Sequence, residues 1–217
     1  MLARPIRYLL ITDGSSDSCL RHPIEWLLRA HGRDSVEGEW ADLRALPESA
    51  TTLAERVRVA LDYYSAELIF VHRDAEARSP DDRVGEIKAA VAALGYKLSF
   101  VCVVPVRMTE AWLLHDKSAI CKAAGKPKGG HLLELPAIKQ LEKLPDPKAV
   151  LRDALLSASE ATGRRRRQKL RDFGVMRHRV AELIGDYGPL RALDGFARLE
   201  ADLCATLEGL DHEGTDG

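Results

Sequence analysis

The sequence predicts an α/β fold: a parallel sheet flanked by helices, followed by a helical appendage. Three observations predict it. Short, nearly continuous apolar runs occur at Ile6 to Thr12, Glu67 to His72 and Lys97 to Pro105, as expected of strands buried on both faces. Helical patterns alternate with these runs in the first half of the chain. Beyond about residue 108 no strand-like run recurs, and breaks at Lys126 to Gly130 and Leu144 to Pro147 only divide a helical region that continues to about Glu208. These features predict an α/β domain over 1–108 and a helical appendage over 109–217.

The elements follow in order. Ile6 to Thr12 reads as a first strand, ended by the turn residues Asp13-Gly14-Ser15-Ser16. Asp17 to Gly32 is the next helix, and Pro23 predicts a kink or a late helix start near it, because proline removes a helical hydrogen bond. A short strand is expected within Val36 to Leu43. Thr51 to Tyr64 then sets Leu53, Val57, Ala60, Leu61 and Tyr64 on one helical face. The run ending at His72 gives way to Arg73-Asp74-Ala75-Glu76. Asp81 to Leu94 is an amphipathic helix with Gly95 as its C-terminal cap, and Lys97 to Pro105 is the last strand. Glu110 to Asp116 opens the helical region, with Trp112, Leu113 and Leu114 as its apolar anchor. His212 to Gly217 reads as a frayed polar tail.

Bulk properties narrow the function. The chain has 217 residues, 46% of them hydrophobic, enough for a full core. Its formal charge is −1, with 32 basic and 33 acidic residues, so any basic surface for nucleic acid must be local. Cys19, Cys102, Cys121 and Cys204 form no CxxC pair, which argues against a zinc ribbon or disulfide framework and fits a reducing cytoplasm. No apolar run reaches the roughly 18 residues that span a bilayer. The sequence lacks GxGxxG and GKS/T signatures for nucleotides and HxxxH or HExxH spacing for zinc. His72 and His115 are read as structural.

In an open parallel sheet, ligands bind beyond the carboxyl ends of the strands. Asp13, Asp74, Glu76 and Glu110 all follow strand ends here. Such carboxylates repel one another unless a cation lies between them, and hard oxygen donors suit Mg²⁺ or Mn²⁺. The same residue types also cap helices, and both readings stand on spacing alone. Among basic residues, Arg73 and Arg107 flank the acidic edge, where they either hold a phosphate or neutralise the carboxylates. Arg164, Arg165, Arg166, Arg167 and Lys169 form the strongest basic run, either a DNA or RNA contact or a solvated helix surface. Lys126, Lys128, Gly129 and Gly130 form a basic loop, read as a linker before a backbone contact.

The segments ITDGSSD, FVHRDAE, VVPVRMTEAWLLHD, LPAIKQLEKLPDPKAVL, SASEATGRRRR and IGDYGPLRALDGFARLEADL together resemble a family of small Toprim-like proteins found near ATPases in bacterial defence loci. The resemblance covers nearly the whole chain. It implies a Toprim-like α/β domain related to those of OLD-type nucleases, which carry a glutamate after the first strand and an Asp-x-Asp pair after a later one. Asp13 then stands at the glutamate position, and Asp74 and Glu76 at the pair. Both positions depart from the usual residues. The resemblance further implies phosphodiester hydrolysis, with Asp13, Asp74, Glu76 and Glu110 as catalytic residues and Asp13, Asp17, Asp74, Glu76 and Glu110 as ligands of Mg²⁺ or Mn²⁺. An anti-phage role with an ATPase partner, no membrane and a possible homo-oligomer complete the expectation. Its rival is a non-catalytic regulatory subunit with a degenerate site. A receiver-like phosphoacceptor using Asp74 lacks the acidic pair that such a domain needs after its first strand.

Overall fold

The computed structural model describes residues 5–46, 50–95, 97–127 and 133–215. Four strands, β1 (Ile6–Ile11), β2 (Val36–Trp40), β3 (Leu68–His72) and β4 (Phe100–Val103), form one all-parallel sheet in the order β2-β1-β3-β4. The register pairs Tyr8 with Gly38 and with Leu68, and His72 with Val103. The chain leaves β1 in one direction to build β2 and then crosses back to build β3. The order therefore reverses between β1 and β3, and the carboxyl ends of those strands flank the crevice where such folds bind ligands.

The expected strand from Lys97 is shorter than its apolar run, for only Phe100–Val103 pairs in the sheet. Before α1 (Arg21–Ala30) the chain makes a 3₁₀ turn over Ser15–Leu20. Pro23 falls in the first turn of α1, where N–H groups lack intrahelical acceptors in any case, which explains the late helix start. α2 (Leu53–Tyr63) begins with a capping box in which Thr52 and Glu55 satisfy each other's backbone N–H groups. α3 (Pro80–Ala92) is capped by Ser79 with proline in its first turn, and Gly95 follows with a φ of +74°.

Strand periodicity divides the core into two layers. Leu9, Ile11, Ile69, Val71, Cys102 and Val104 face α2 and α3 on one side of the sheet. Tyr8, Leu10, Leu68, Phe70, Val101 and Val103 face the other way, into a cluster that continues through Leu27 of α1 and Trp112 to Phe196 and Leu207. Each fully buried side chain of this kind contributes roughly 1.5–3 kcal/mol. The second layer is completed by α4 (Lys117–Ala123), α5 (Pro147–Ser159), α6 (Gly163–Arg171), α7 (Phe173–Leu183) and α8 (Asp194–Thr215). The stretch expected as a helical appendage thus shares a core with the sheet.

The opening of that stretch is a 3₁₀ turn, Thr109–Leu113, with Trp112 buried edge-on against Phe196 at a centroid distance of 5.3 Å. α8 continues to Thr215, into the stretch read as a tail, whose residues 216–217 lie outside the described residues. Lys128 to Gly130 lie outside the described residues, while Lys126 pairs with Glu160 at 3.1 Å. α8 runs beside the sheet's β4 edge, where Asp202 accepts the N–H of Cys102 at 2.8 Å and the Thr206 hydroxyl donates to the Phe100 carbonyl at 3.4 Å. No helix among the described residues is long and apolar enough to cross a membrane.

Candidate metal centre

Three side chains meet at the crevice between β1 and β3. Asp17 lies in the 3₁₀ turn after β1, His72 is the last residue of β3, and Asp74 is two residues beyond it. One ligand atom from each lies within 4.8 Å of the others. Asp17 and His72 are buried and Asp74 is partly so.

Local structure fixes each donor. Backbone bonds from Arg73 N–H to Val103 O and from Ala75 N–H to Pro105 O continue the β3–β4 pairing past the strand ends and hold Asp74 between them. Its carboxylate accepts the Thr109 N–H at 3.1 Å, and its carbonyl accepts Nε of the buried Arg83 at 3.1 Å. Nε2 of His72 lies 3.2 Å from Asp74 Oδ1. The Ser16 hydroxyl donates to Asp17 Oδ2 at 3.2 Å.

The electrostatics of the centre favour a positive charge. Burial lowers the pKa of His72, but its hydrogen bond to Asp74 and the charges of Asp74, Asp17 and Asp13 outweigh that and raise it above the ordinary value. The same carboxylates would attract a divalent cation, which must displace the proton on His72 to use the imidazole nitrogen. The donor chemistry fits one: two carboxylates and an imidazole form a mixed oxygen and nitrogen set, and the buried Nδ1 of His72 has no hydrogen-bond partner among the described residues. Mn²⁺ accepts imidazole more readily than Mg²⁺, which prefers all-oxygen shells.

Of the ligands expected from the sequence, Asp17 and Asp74 belong to this group and the other three do not. Asp13 turns to two arginines: Nη1 of Arg56 and Nη1 of Arg73 each donate to its Oδ1 at 2.7 Å. Glu76 is exposed in a left-handed backbone conformation with a φ of +52°, and its carboxylate lies 3.8 Å from Arg83. Glu110 is buried and bonded at 2.6 Å to Arg177 of α7. Conversely, His72 joins the group although the sequence read it as structural. Its place at the end of the central apolar run, two residues before Asp74, was the available signal.

The expected nucleic-acid contacts separate into two places. Arg73 and Arg107 lie on the rim of the centre, Arg73 bridging Asp13 and Glu86 and Arg107 donating to the Glu76 carbonyl at 3.4 Å. Arg164, Arg165, Arg166 and Arg167 are exposed on α6, which packs against α5 and α7 and buries no residue of its own. Lys169 on the same helix bonds the Ala124 carbonyl at 3.1 Å. A scan against protein-family models, a search of curated proteins and a search of solved structures each found no match.

Proposed function

We propose that the chain is a divalent-metal-dependent nuclease or nuclease-like subunit acting on nucleic-acid phosphodiesters. The observation that carries this reading is the convergence of Asp17, His72 and Asp74 at the sheet's switch point. These three residues would hold the cation, with Mn²⁺ favoured over Mg²⁺ by the imidazole. A cation held there supplies Lewis-acid stabilisation of charge developing on a phosphodiester. The chain's own contribution is positional. The Thr109 N–H fixes the Asp74 carboxylate, Arg83 braces the loop that carries it, and Arg73 and Arg107 set guanidinium groups on the rim where a phosphate would approach. Placement in an anti-phage system with an ATPase partner rests on the sequence resemblance, and the exposed arginines of α6 are the proposed second contact with DNA or RNA.

A second reading has its own observation. Asp13 and Glu110, expected at the reacting centre, are both engaged by arginines, as a regulatory subunit with a degenerate site would allow.

Calorimetric titration of Mn²⁺ into the wild type and an Asp17→Asn/Asp74→Asn variant, paired with cleavage of labelled DNA and RNA, separates the two. The nuclease reading expects stoichiometric binding and metal-dependent cleavage, both lost in the variant. Cleavage that survives the substitutions, or a wild type that binds no Mn²⁺, overturns it. Stoichiometric binding without cleavage supports the regulatory reading.

A further inference from the structure

Beside the metal centre, on the β2 side of β1, lies a cavity of about 260 Å³ whose walls include Asp13, Ser15, Trp40, Leu43, Arg44 and Arg56. Its polar groups divide into committed and free. Arg44 is held at all three nitrogens: Nε and Nη2 bind the two oxygens of Asp42 at 2.8 and 2.9 Å, and Nη1 binds the Ser15 hydroxyl at 2.9 Å. This holds its guanidinium 5.7 Å from the centre of the Trp40 ring, while Trp40 Nε1 donates to Thr12 at 2.9 Å. Both side chains are fixed walls. Arg56 differs, because among the described residues its side chain bonds only Asp13, through Nη1. A guanidinium has five N–H donors, so most of those on Arg56 have no hydrogen-bond partner among the described residues.

Asp13 holds Arg56 and Arg73 in place before any ligand arrives, and Glu86 takes up the second charge by pairing with Arg73 at 3.1 Å. Preorganised guanidinium groups recognise phosphate through paired hydrogen bonds. The volume falls just below the roughly 300–1,000 Å³ of sites that enclose a drug-sized ligand, which suits a phosphate and its sugar with the base left partly outside.

We propose that this cavity binds the terminal phosphate and sugar of a nucleotide, Arg56 taking the phosphate and Trp40 the apolar face of the sugar. The choice of a nucleic-acid end as the source of that nucleotide rests on the proposed phosphodiester chemistry. It assigns the chain a preference for phosphorylated strand ends, and it makes Asp13 the organiser of an arginine pair.

The test uses calorimetry in metal-free buffer, so that its failure is distinct from failure of the metal site. The probes are inorganic phosphate, AMP, adenosine, and one short oligonucleotide with and without a terminal phosphate. The expected result is that AMP binds about tenfold or more tightly than adenosine, that the phosphorylated oligonucleotide exceeds its unphosphorylated twin by a similar factor, and that Arg56→Gln removes both differences while Mn²⁺ binding persists. Trp40→Phe is expected to weaken AMP without changing the affinity for inorganic phosphate. Equal binding of AMP and adenosine, or an undiminished preference in Arg56→Gln, overturns the proposal. Inorganic phosphate that binds as tightly as AMP reduces the cavity to a bare anion site and overturns the nucleotide assignment. AMP that binds while the two oligonucleotides do not differ overturns the strand-end assignment.

Discussion

Arg177 of α7 donates to Glu110 in the 3₁₀ turn after β4 at 2.6 Å, with both side chains 3% exposed. This pair joins the helical layer to the turn that also supplies the Thr109 N–H to Asp74. Nε and Nη2 of Arg177 find no hydrogen-bond partner among the described residues. Removing one member of a buried pair strands the other charge, at about 3–5 kcal/mol. Arg177→Met is therefore expected to lower stability by that amount in urea unfolding. The double change Arg177→Met/Glu110→Leu is expected to recover most of the loss, because a matched apolar replacement leaves no orphan charge.

The proposed metal centre predicts a graded response to substitution. Asp17→Asn and His72→Gln each remove a donor and are expected to weaken Mn²⁺ binding by well over tenfold. Thr109→Val removes a hydroxyl 3.4 Å from both His72 Nε2 and Asp74 Oδ1 and is expected to cost about tenfold, as for other partners of ligating groups. Glu76→Ala is expected to leave the affinity unchanged. Titration of each purified variant checks the order.

Glu200 on α8 predicts a pH dependence. The Arg191 hydrogen bond lowers its pKa most; burial opposes this, while the His31 hydrogen bond and the charges of both partners reinforce it. Because the folded-state value is depressed, the stability it contributes is present above the ordinary carboxylate range and is lost as pH falls through the folded value. The wild type is therefore expected to lose stability on acidification more steeply than Glu200→Gln in parallel unfolding curves taken below neutral pH.

These contacts also show where sequence reasoning reached its limit. β1, β3 and α2 were legible because burial on two faces leaves a continuous apolar run and burial on one face leaves a helical stripe, both local signals. Asp74 was legible as a candidate because it follows a strand end, and Asp17 only through the family resemblance. What Asp13 and Glu110 bind was not, since their partners lie 43, 60 and 67 residues away and one arginine resembles another along a chain. His72 was hidden for a different reason. A histidine ending an apolar strand fits a core position equally well, and only the folded crevice brings Asp17 to it.

Gly38 carries a prediction about strand packing. It pairs with Tyr8 across β2 and β1, and a Cβ at Gly38 would lie 2.2 Å from Cε1 of the buried Tyr8 ring. Only glycine admits a ring so close to a neighbouring strand. Gly38→Ala is expected to destabilise by about 1–3 kcal/mol, the usual cost of overpacking, and thermal unfolding of the variant measures it.

Asp202→Ala removes the acceptor of the Cys102 N–H on the outer edge of β4. That amide is expected to exchange with deuterium markedly faster in the variant, with a stability loss of roughly 1–3 kcal/mol for a buried donor left unpaired.

The capping of β4 by α8 also sets an order of events during synthesis. Asp202 follows Cys102 by 100 residues, so the sheet is fully translated long before its outer rim can be sealed. During that interval a ribosome-bound chain presents an open row of backbone donors and acceptors to its neighbours, the geometry that templates aggregation. Chaperone dependence should accordingly peak between emergence of the sheet and emergence of the last helix, and shortened chains that end before α8 should be the insoluble ones.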